Sequence, residues 1–452
     1  MIIIDFQEQL TLFYNSCDKS DLFIIPIFLD DYNHPMVNEI SSLYVCCLNT
    51  QDEFILPIDH HDKILSEISL KEIKSYFSTF QKNIFCIFKK NLLYLLENNK
   101  NLIDLNLSLY LITSKQINVT PLSDLVSQFY ERSYGRLNKI NFLIPITKHI
   151  EYCQKIKDSI LKYVSNYESE CFRYYNDVVI SLLQQIETSG LFYDKELFKE
   201  FYPNKTNQLK YDYLYSQYNI FTATGRPSNK FGGINFAALN KKTGLRKIFI
   251  SRFKDEGKLV EFDFDAYHLQ LIANEIKYKF PTDVNPHTYL GRQFFGKDNI
   301  SEEEYQQSKE ISFRLLYGGI DKDFEKIDFF GLVNQYINKF WGELNNNGEF
   351  ISPIFKRKLL KNTIDGFNKY TAWNYFIQLL ETENSIIVIY QILKALKDKK
   401  SKLILYTYDG FLFDVYNEEW DKLKMELQII FNNRGFHAKV KEGKNYNELK
   451  TV

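Results

Sequence analysis

The chain has 452 residues, enough for two or three domains. Its hydrophobic content of 45% supports ordinary cores and excludes global disorder. A net charge of −1 and a pI near 6.7 exclude a uniformly basic nucleic-acid-binding module, so contact with nucleic acid would be local. The basic runs that could supply it are Lys241, Lys242, Arg246, Lys247, Arg252 and Lys254, and Lys356, Arg357, Lys358 and Lys361. The six cysteines are Cys17, Cys46, Cys47, Cys86, Cys153 and Cys171. They form no CxxC pair and read as buried thiols in a reducing compartment, not as zinc or disulfide sites. No apolar run reaches membrane-spanning length. The opening MIIIDFQEQLTLFY lacks the basic segment and cleavage site of a signal peptide, and the expectation is a cytoplasmic protein.

In chain order, 23–29, 43–49 and 54–58 read as strands and 82–88 as a buried strand. Residues 102–112 and 146–156 read as helices, the second starting after Pro145. Together they make residues 1–150 an α/β domain. Residues 151–220 are mostly helical, with Gly190 as a helix C-cap. Residues 221–452 read strand–helix, a long insertion, then helix–strand–strand–helix–strand, ending with a helix at 418–431 and a strand at 437–441.

Two acids stand out in this last part. KLVEFDFDAYHLQLIANEI (258–276) opens as a strand, presents Asp263 where the strand ends, and continues as a helix carrying Leu269, Ile272, Ala273 and Ile276 at helical spacing. Alone, such an acid is more often a helix cap than a metal ligand. KLILYTYDGFLFDVY (402–416) reads as two strands around Asp409–Gly410, which alone is a strong hairpin signal. On adjacent strands of one sheet the two carboxylates could share two Mg²⁺ ions roughly 3.5–4 Å apart, which suits in-line phosphoryl or nucleotidyl transfer. Between them, SEEE (301–304) is a capping-box start, followed by Lys309, Phe313 and Tyr317 on one helical stripe. A core stripe explains the aromatics but not the lysine. Asn374, Gln378, Glu381 and Thr382 form a polar stripe that a solvated helix face would also explain.

TATGRPSN (222–229), Arg246, VEFDFDAYHLQLIA, KEISFRLLYGG (309–319), NYFIQ (374–378) and TYDGFLFDV resemble, in this order, the motifs of a family A DNA polymerase of the bacterial DNA polymerase I type. The resemblance runs from about residue 174 to the C-terminus. It implies a multidomain α+β and α/β protein. An RNase H-like exonuclease-type domain (1–150) is followed by a helical connector with a vestigial thumb (151–220) and a polymerase palm with fingers (221–452, fingers about 278–370). The palm would be a split ferredoxin-like fold. The resemblance implies catalytic Asp263, Asp409 and Lys309, and two Mg²⁺ ions (with Mn²⁺ as a substitute) on Asp263, Asp409 and the Phe264 carbonyl. His287, Lys309, Phe313, Tyr317 and His268 would meet the dNTP. Arg226, Asn374, Gln378 and Tyr408 would meet the DNA, Asn374 and Gln378 through minor-groove acceptors common to all base pairs. The implied partners are primed DNA template, dNTPs and a processivity factor, with a monomeric protein in the cytoplasm, or the host cytoplasm if a phage encodes it. Abundant Lys, Asn, Ile, Tyr and Phe fit AT-rich coding DNA of a phage or low-GC host.

The chain departs from the family at several points. Tyr305 stands where an Arg is usual, Tyr408–Asp409–Gly410 replaces His-Asp-Glu, His268 replaces the Glu that with Tyr317 excludes a 2′-OH, and Tyr446 replaces a Trp. Only 200–220 occupies the place of the long thumb. The exonuclease carboxylates are reduced to Asp30 and Asp31, with Asp104 as a candidate remnant, so the expectation is a degenerate domain without proofreading. Two rival readings are a single-subunit RNA polymerase-like enzyme and a catalytically weakened relative acting as a nucleic-acid-binding scaffold.

Overall fold

The computed structural model describes residues 1–65, 69–96, 101–130, 140–433 and 435–452. Within them the chain divides into two units, Met1–Gln184 and Gln185–Val452.

The first unit is built on apolar runs that are buried on both faces. Its strands are β1 (Ile2–Ile3), β2 (Leu22–Phe28), β3 (Ile40–Cys47), β4 (Glu53–Pro57), β5 (Ile84–Cys86) and β6 (Leu102–Asp104). They lie in the order β1-β4-β3-β2-β5-β6. The β2–β3–β4 meander is antiparallel, whereas β5 and β6 continue the sheet parallel to β2. Every residue of β3 is buried, as expected of a central strand covered on both sides. The reading of 102–112 as one helix is corrected: Leu102–Asp104 is the edge strand, and the helix α1 spans Leu105–Thr113. A short apolar run followed by helix cannot be divided by periodicity alone. Asp104 marks the division, because its carboxylate caps the helix through Leu107 N (3.0 Å) and also accepts from Lys89 N (2.7 Å).

Helix α2 (Ile146–Ile160) buries Ile146, His149, Cys153, Ile156 and Ile160, a single helical stripe. His149 Nδ1 lies 2.7 Å from Ser42 Oγ on β3. Nearby, His60 Nε2 donates to Ile144 O (2.8 Å), His61 Nδ1 donates to Phe142 O (2.7 Å), and Asp62 accepts from Ile146 N (3.1 Å). Their potential ligand atoms cluster within 4.8 Å, but the three side chains serve to clasp the entry to α2.

The second unit holds the sheet that carries the two acids. Its strands are β7 (Gly257–Phe264), β8 (Lys402–Thr407), β9 (Gly410–Tyr416), β10 (Ala438–Gly443) and β11 (Lys450–Thr451), in the order β8-β9-β7-β10-β11 and antiparallel throughout. Helices α3 (Tyr267–Glu275), α4 (Pro286–Phe295), α5 (Glu302–Gly318), α6 (Asp328–Asn347) and α7 (Lys369–Ala395) form the inserted part, and α8 (Trp420–Asn432) lies between β9 and β10. The helix–strand–strand–helix–strand order read from the sequence is thus observed. A core of Leu315, Leu316, Phe329, Phe330, Phe340, Trp373 and Phe376 locks α5, α6 and α7 together. Trp373 is fully buried and its indole donates to Leu316 O (3.0 Å), so the polar atom of the largest core side chain is paired. Helix α5 has the expected capping box: Ser301 and Glu304 bond one another's backbone amides. Past its end, Gly319 has φ +109, and a Cβ there would come within 2.6 Å of the Tyr370 ring. No helix among the described residues is long and apolar enough to cross a membrane.

Burial makes one pH prediction. It pushes the His149 pKa down from 6.5 to about 3. A cationic form disfavoured by folding leaves stability intact above pH 6.5 and removes it progressively as pH falls toward 3. At pH 5 the loss from this group is about 2 kcal/mol. Melting of the unit that carries it should therefore drop between pH 7.5 and 5.0, and should drop less in His149→Gln. Equal drops in both proteins would show that His149 stays uncoupled from folding.

Candidate active site

The register of β7 brings the two acids together. Asp263 pairs with Gly410 on one side and with Lys439 on the other. Asp409 immediately precedes Gly410, and its carbonyl accepts from Phe264 N (3.0 Å). Asp263 is the penultimate residue of β7, and it caps no helix: the N-cap of α3 is Ala266, which makes no side-chain cap bond. Backbone in the left-handed region flanks both acids, at Ala266 (φ 49) and Tyr408 (φ 71). Non-glycine residues are uncommon there and concentrate at functional sites.

Burial and like charge act on both carboxylates. Asp409 keeps an exposed face, yet its carboxyl is pushed up to about 6 by desolvation from the protein packed around it, then by the charges of Asp263 and Glu381. Burial also raises Asp263, with Glu261 adding to the rise and Lys441 opposing it. Lys441 Nζ lies 2.6 Å from Asp263 Oδ2 and 2.9 Å from Glu261 Oε2. Lys439 pairs with Asp265 (2.8 Å), which also accepts from Asn285. Neither lysine was singled out from the sequence. Their spacing of two in HAKVKEG puts them on one sheet face, but only the pairing of β10 with β7 sets that face beside the acids.

Helix α5 presents Lys309, Phe313 and Tyr317 along one line. Phe313 is 40% exposed, so the line is not a core stripe. Its ring stacks beside Tyr317, with centroids 6.0 Å apart and planes at 10°, and packs on His287 at 5.6 Å. Lys309 Nζ sits 4.4 Å from the Tyr305 ring centroid, so the residue found where the family has an Arg supports the lysine through its π-face. His287 is pushed down to about 4 by burial and then by Lys309, so its imidazole is neutral at neutral pH. Its Nδ1 is buried without a hydrogen-bond partner.

A second network centres on Glu381, which is 1% exposed. Arg226 Nε lies 2.8 Å from it, and the Arg226 guanidinium stacks 3.6 Å above the Tyr408 ring centroid. His268 Nε2 lies 3.4 Å from Glu381 Oε1, while His268 Nδ1 meets the Tyr317 hydroxyl. Nδ1 thus shares a hydrogen bond with Tyr317, while Nε2 is buried beside the Glu381 carboxylate without a hydrogen-bond partner. Gln378 Oε1 accepts from Thr224 Oγ1 (3.3 Å), and Ser385 Oγ donates to Tyr408 O (3.1 Å). Asn374, also on α7, has a buried Oδ1 without a hydrogen-bond partner. Glu381 and Thr382 are buried, so the polar stripe of α7 is not a solvated face.

Three members of the basic runs have structural roles. Arg357 is buried and its guanidinium reaches the carbonyls of Thr222 and Ala223 (3.3 Å each), anchoring the loop that carries Arg226. Arg246 donates to Leu239 O (2.9 Å) and stacks on Tyr446 (4.5 Å). Arg252 pairs with the buried Asp414 (2.8 Å). In the first unit, Asp31 accepts from Ser123 N and Oγ (3.0 and 2.7 Å), and Asp30 accepts from Tyr32 N (2.8 Å). Asp104 is a buried helix cap.

No family model matches the chain. It is 24% identical over 269 residues to the DNA polymerase I of Helicobacter pylori strain J99, and equally to that of strain 26695. Each match covers 51% of this chain and 29% of the relative's own length. Among solved structures, the POL domain of Pol1 from M. smegmatis, in complex with DNA primer-template and dNTP, superposes with a TM-score of 0.72 at 14% identity, covering 99% of this chain and 100% of that one. The resemblance to family A DNA polymerases carried by the motifs therefore holds both in sequence, against two DNA polymerase I proteins, and in fold, against a Pol1 polymerase domain.

Proposed function

We propose that the chain is a template-directed DNA polymerase that adds dNTPs to a primer 3′-OH. The observation that carries this reading is the pair of Asp263, on β7, and Asp409, in the turn just before β9 that the β7–β9 register sets beside it, each with its pKa raised by desolvation and neighbouring carboxylate charge. Two such carboxylates gain from a divalent cation between them, and as hard oxygen donors they fit Mg²⁺. Asp263, Asp409 and the Phe264 carbonyl would hold two Mg²⁺ ions, which supply charge neutralisation for the attacking oxygen and the leaving pyrophosphate. Mn²⁺ would serve in their place. Lys309 offsets charge on the triphosphate, and neutral His287 offers a hydrogen bond to it. Phe313 packs on the sugar and Tyr317 covers the nascent pair. Arg226 and Tyr408 meet the primer terminus, and Asn374 and Gln378 meet the minor groove. The test is extension of a primed DNA template with dNTPs, then with rNTPs. Asp263→Asn and Asp409→Asn should each lower the dNTP rate by on the order of 10³-fold or more with the fold intact. Activity within a few-fold of wild type in either variant refutes the site. A better yield with rNTPs favours the RNA polymerase reading.

The His268–Tyr317 contact supports a sugar gate. His268 beside Tyr317 would act as a steric block to a ribose 2′-OH. His268→Ala should lower the ratio of kcat/KM for dCTP over CTP more than it lowers kcat/KM for dCTP itself. An unchanged ratio places the gate elsewhere.

The first unit supports an exonuclease-type domain through its mixed sheet, and supports loss of proofreading through its acids, which are engaged by backbone amides and hydroxyls. Purified protein with Mg²⁺ should leave a mismatched primer at full length. Shortening that disappears in an Asp30→Ala/Asp31→Ala double variant would show an active nuclease. The short connection around 200–220, which holds only a short helix, a 3₁₀ segment and two-residue strands, supports a reduced thumb and a partner that supplies grip on the duplex.

A further inference from the structure

The sheet face that carries Asp263 also carries a cation of the chain itself. Lys441 stands directly opposite Glu261 in the β7–β10 register, and a cross-strand pair with Glu261 alone would satisfy it. Instead its ammonium leans along the strand and bridges both acids, at 2.9 Å from Glu261 and 2.6 Å from Asp263. Lys439 is engaged by Asp265 and leaves Lys441 as the cation in contact with Asp263. The side chain is only 25% exposed, so water screens the contact less than it would on an open surface.

We infer that Lys441 is the resident counter-ion of the Asp263–Glu261 pair and competes with a divalent cation for Asp263. The inference rests on the reading of Asp263 as a metal ligand. An ammonium at 2.6 Å occupies one carboxylate oxygen with a charge-assisted hydrogen bond. A divalent ion entering the site must displace that contact and accept a positive neighbour. Glu261 gives the ammonium a second anchor, so it can yield Asp263 without leaving the site. Lys441 thereby acts as a positioning residue: it keeps Asp263 oriented and its charge compensated, and it holds metal affinity low until other negative charge arrives.

Mn²⁺ binding to the nucleotide-free protein, followed by electron paramagnetic resonance, reads this without turnover. Lys441→Met removes the charge and keeps an unbranched side chain, and should bind Mn²⁺ roughly tenfold more tightly than wild type. Lys441→Arg keeps the cation and should match wild type. A merely structural lysine would loosen the site on removal, so affinity that is unchanged or weaker in Lys441→Met overturns the proposal. Asp263→Asn separates the two levels. Loss of Mn²⁺ binding there upholds the ligand reading whatever Lys441 does, whereas retained binding overturns the ligand reading and the Lys441 proposal with it.

Discussion

The antiparallel register of β7 between β9 and β10 is the constraint on which the rest of the site depends. Successive side chains of a strand alternate faces, so one residue of slippage would turn Asp263 and Glu261 away and present Phe262 and Phe264 instead. The apolar face forbids that slip. Phe262 stacks on Phe431 at 4.9 Å, and Phe264 stacks on Tyr267 at 4.3 Å. The core on one face of the sheet thus sets the position of the charges on the other. It also sets Asp409, because Gly410 is paired to Asp263 and the chain turns immediately before it.

What surrounds these charges is a set of paired and partly paired groups. Glu381 is the most buried of them, and it is tolerable because Arg226 lies against it and His268 stands beside it. The network crosses four elements: the loop of Arg226, helix α3 through His268, helix α5 through Tyr317 and helix α7 through Glu381. Tyr317 of α5 thus reaches Arg226 through a hydrogen bond to His268 and the charge of Glu381 beside it. Glu381 sets an anion on α7 beside His268, with the imidazole between it and Tyr317.

The first unit follows a different logic. Its sheet buries both faces, and Asp31, Asp104, His60 and His61 are committed to helix starts and loop backbones. A carboxylate that caps a helix cannot present the same lone pairs to a metal.

Most strands, the capped helix α5 and the two acids were legible in the sequence, because each depends on local periodicity, turn chemistry or capping. So was the line Lys309, Phe313 and Tyr317, since a helix fixes i, i+4 and i+8 whatever lies around it. Other features depended on long-range pairing. Lys441 reads as one more surface lysine until β10 is laid beside β7, and Glu381 as one more exposed glutamate until Arg226 is brought across from a loop some 155 positions away. Arg357 reads as part of a phosphate-binding run until the Thr222–Ala223 carbonyls are found beneath it. The strand at Leu102–Asp104 was hidden for the same reason, because only the parallel neighbour β5 separates it from the helix that follows. Local rules determine which backbone each segment adopts. Which charges meet is decided by tertiary packing, since an ion pair has no periodicity to announce it.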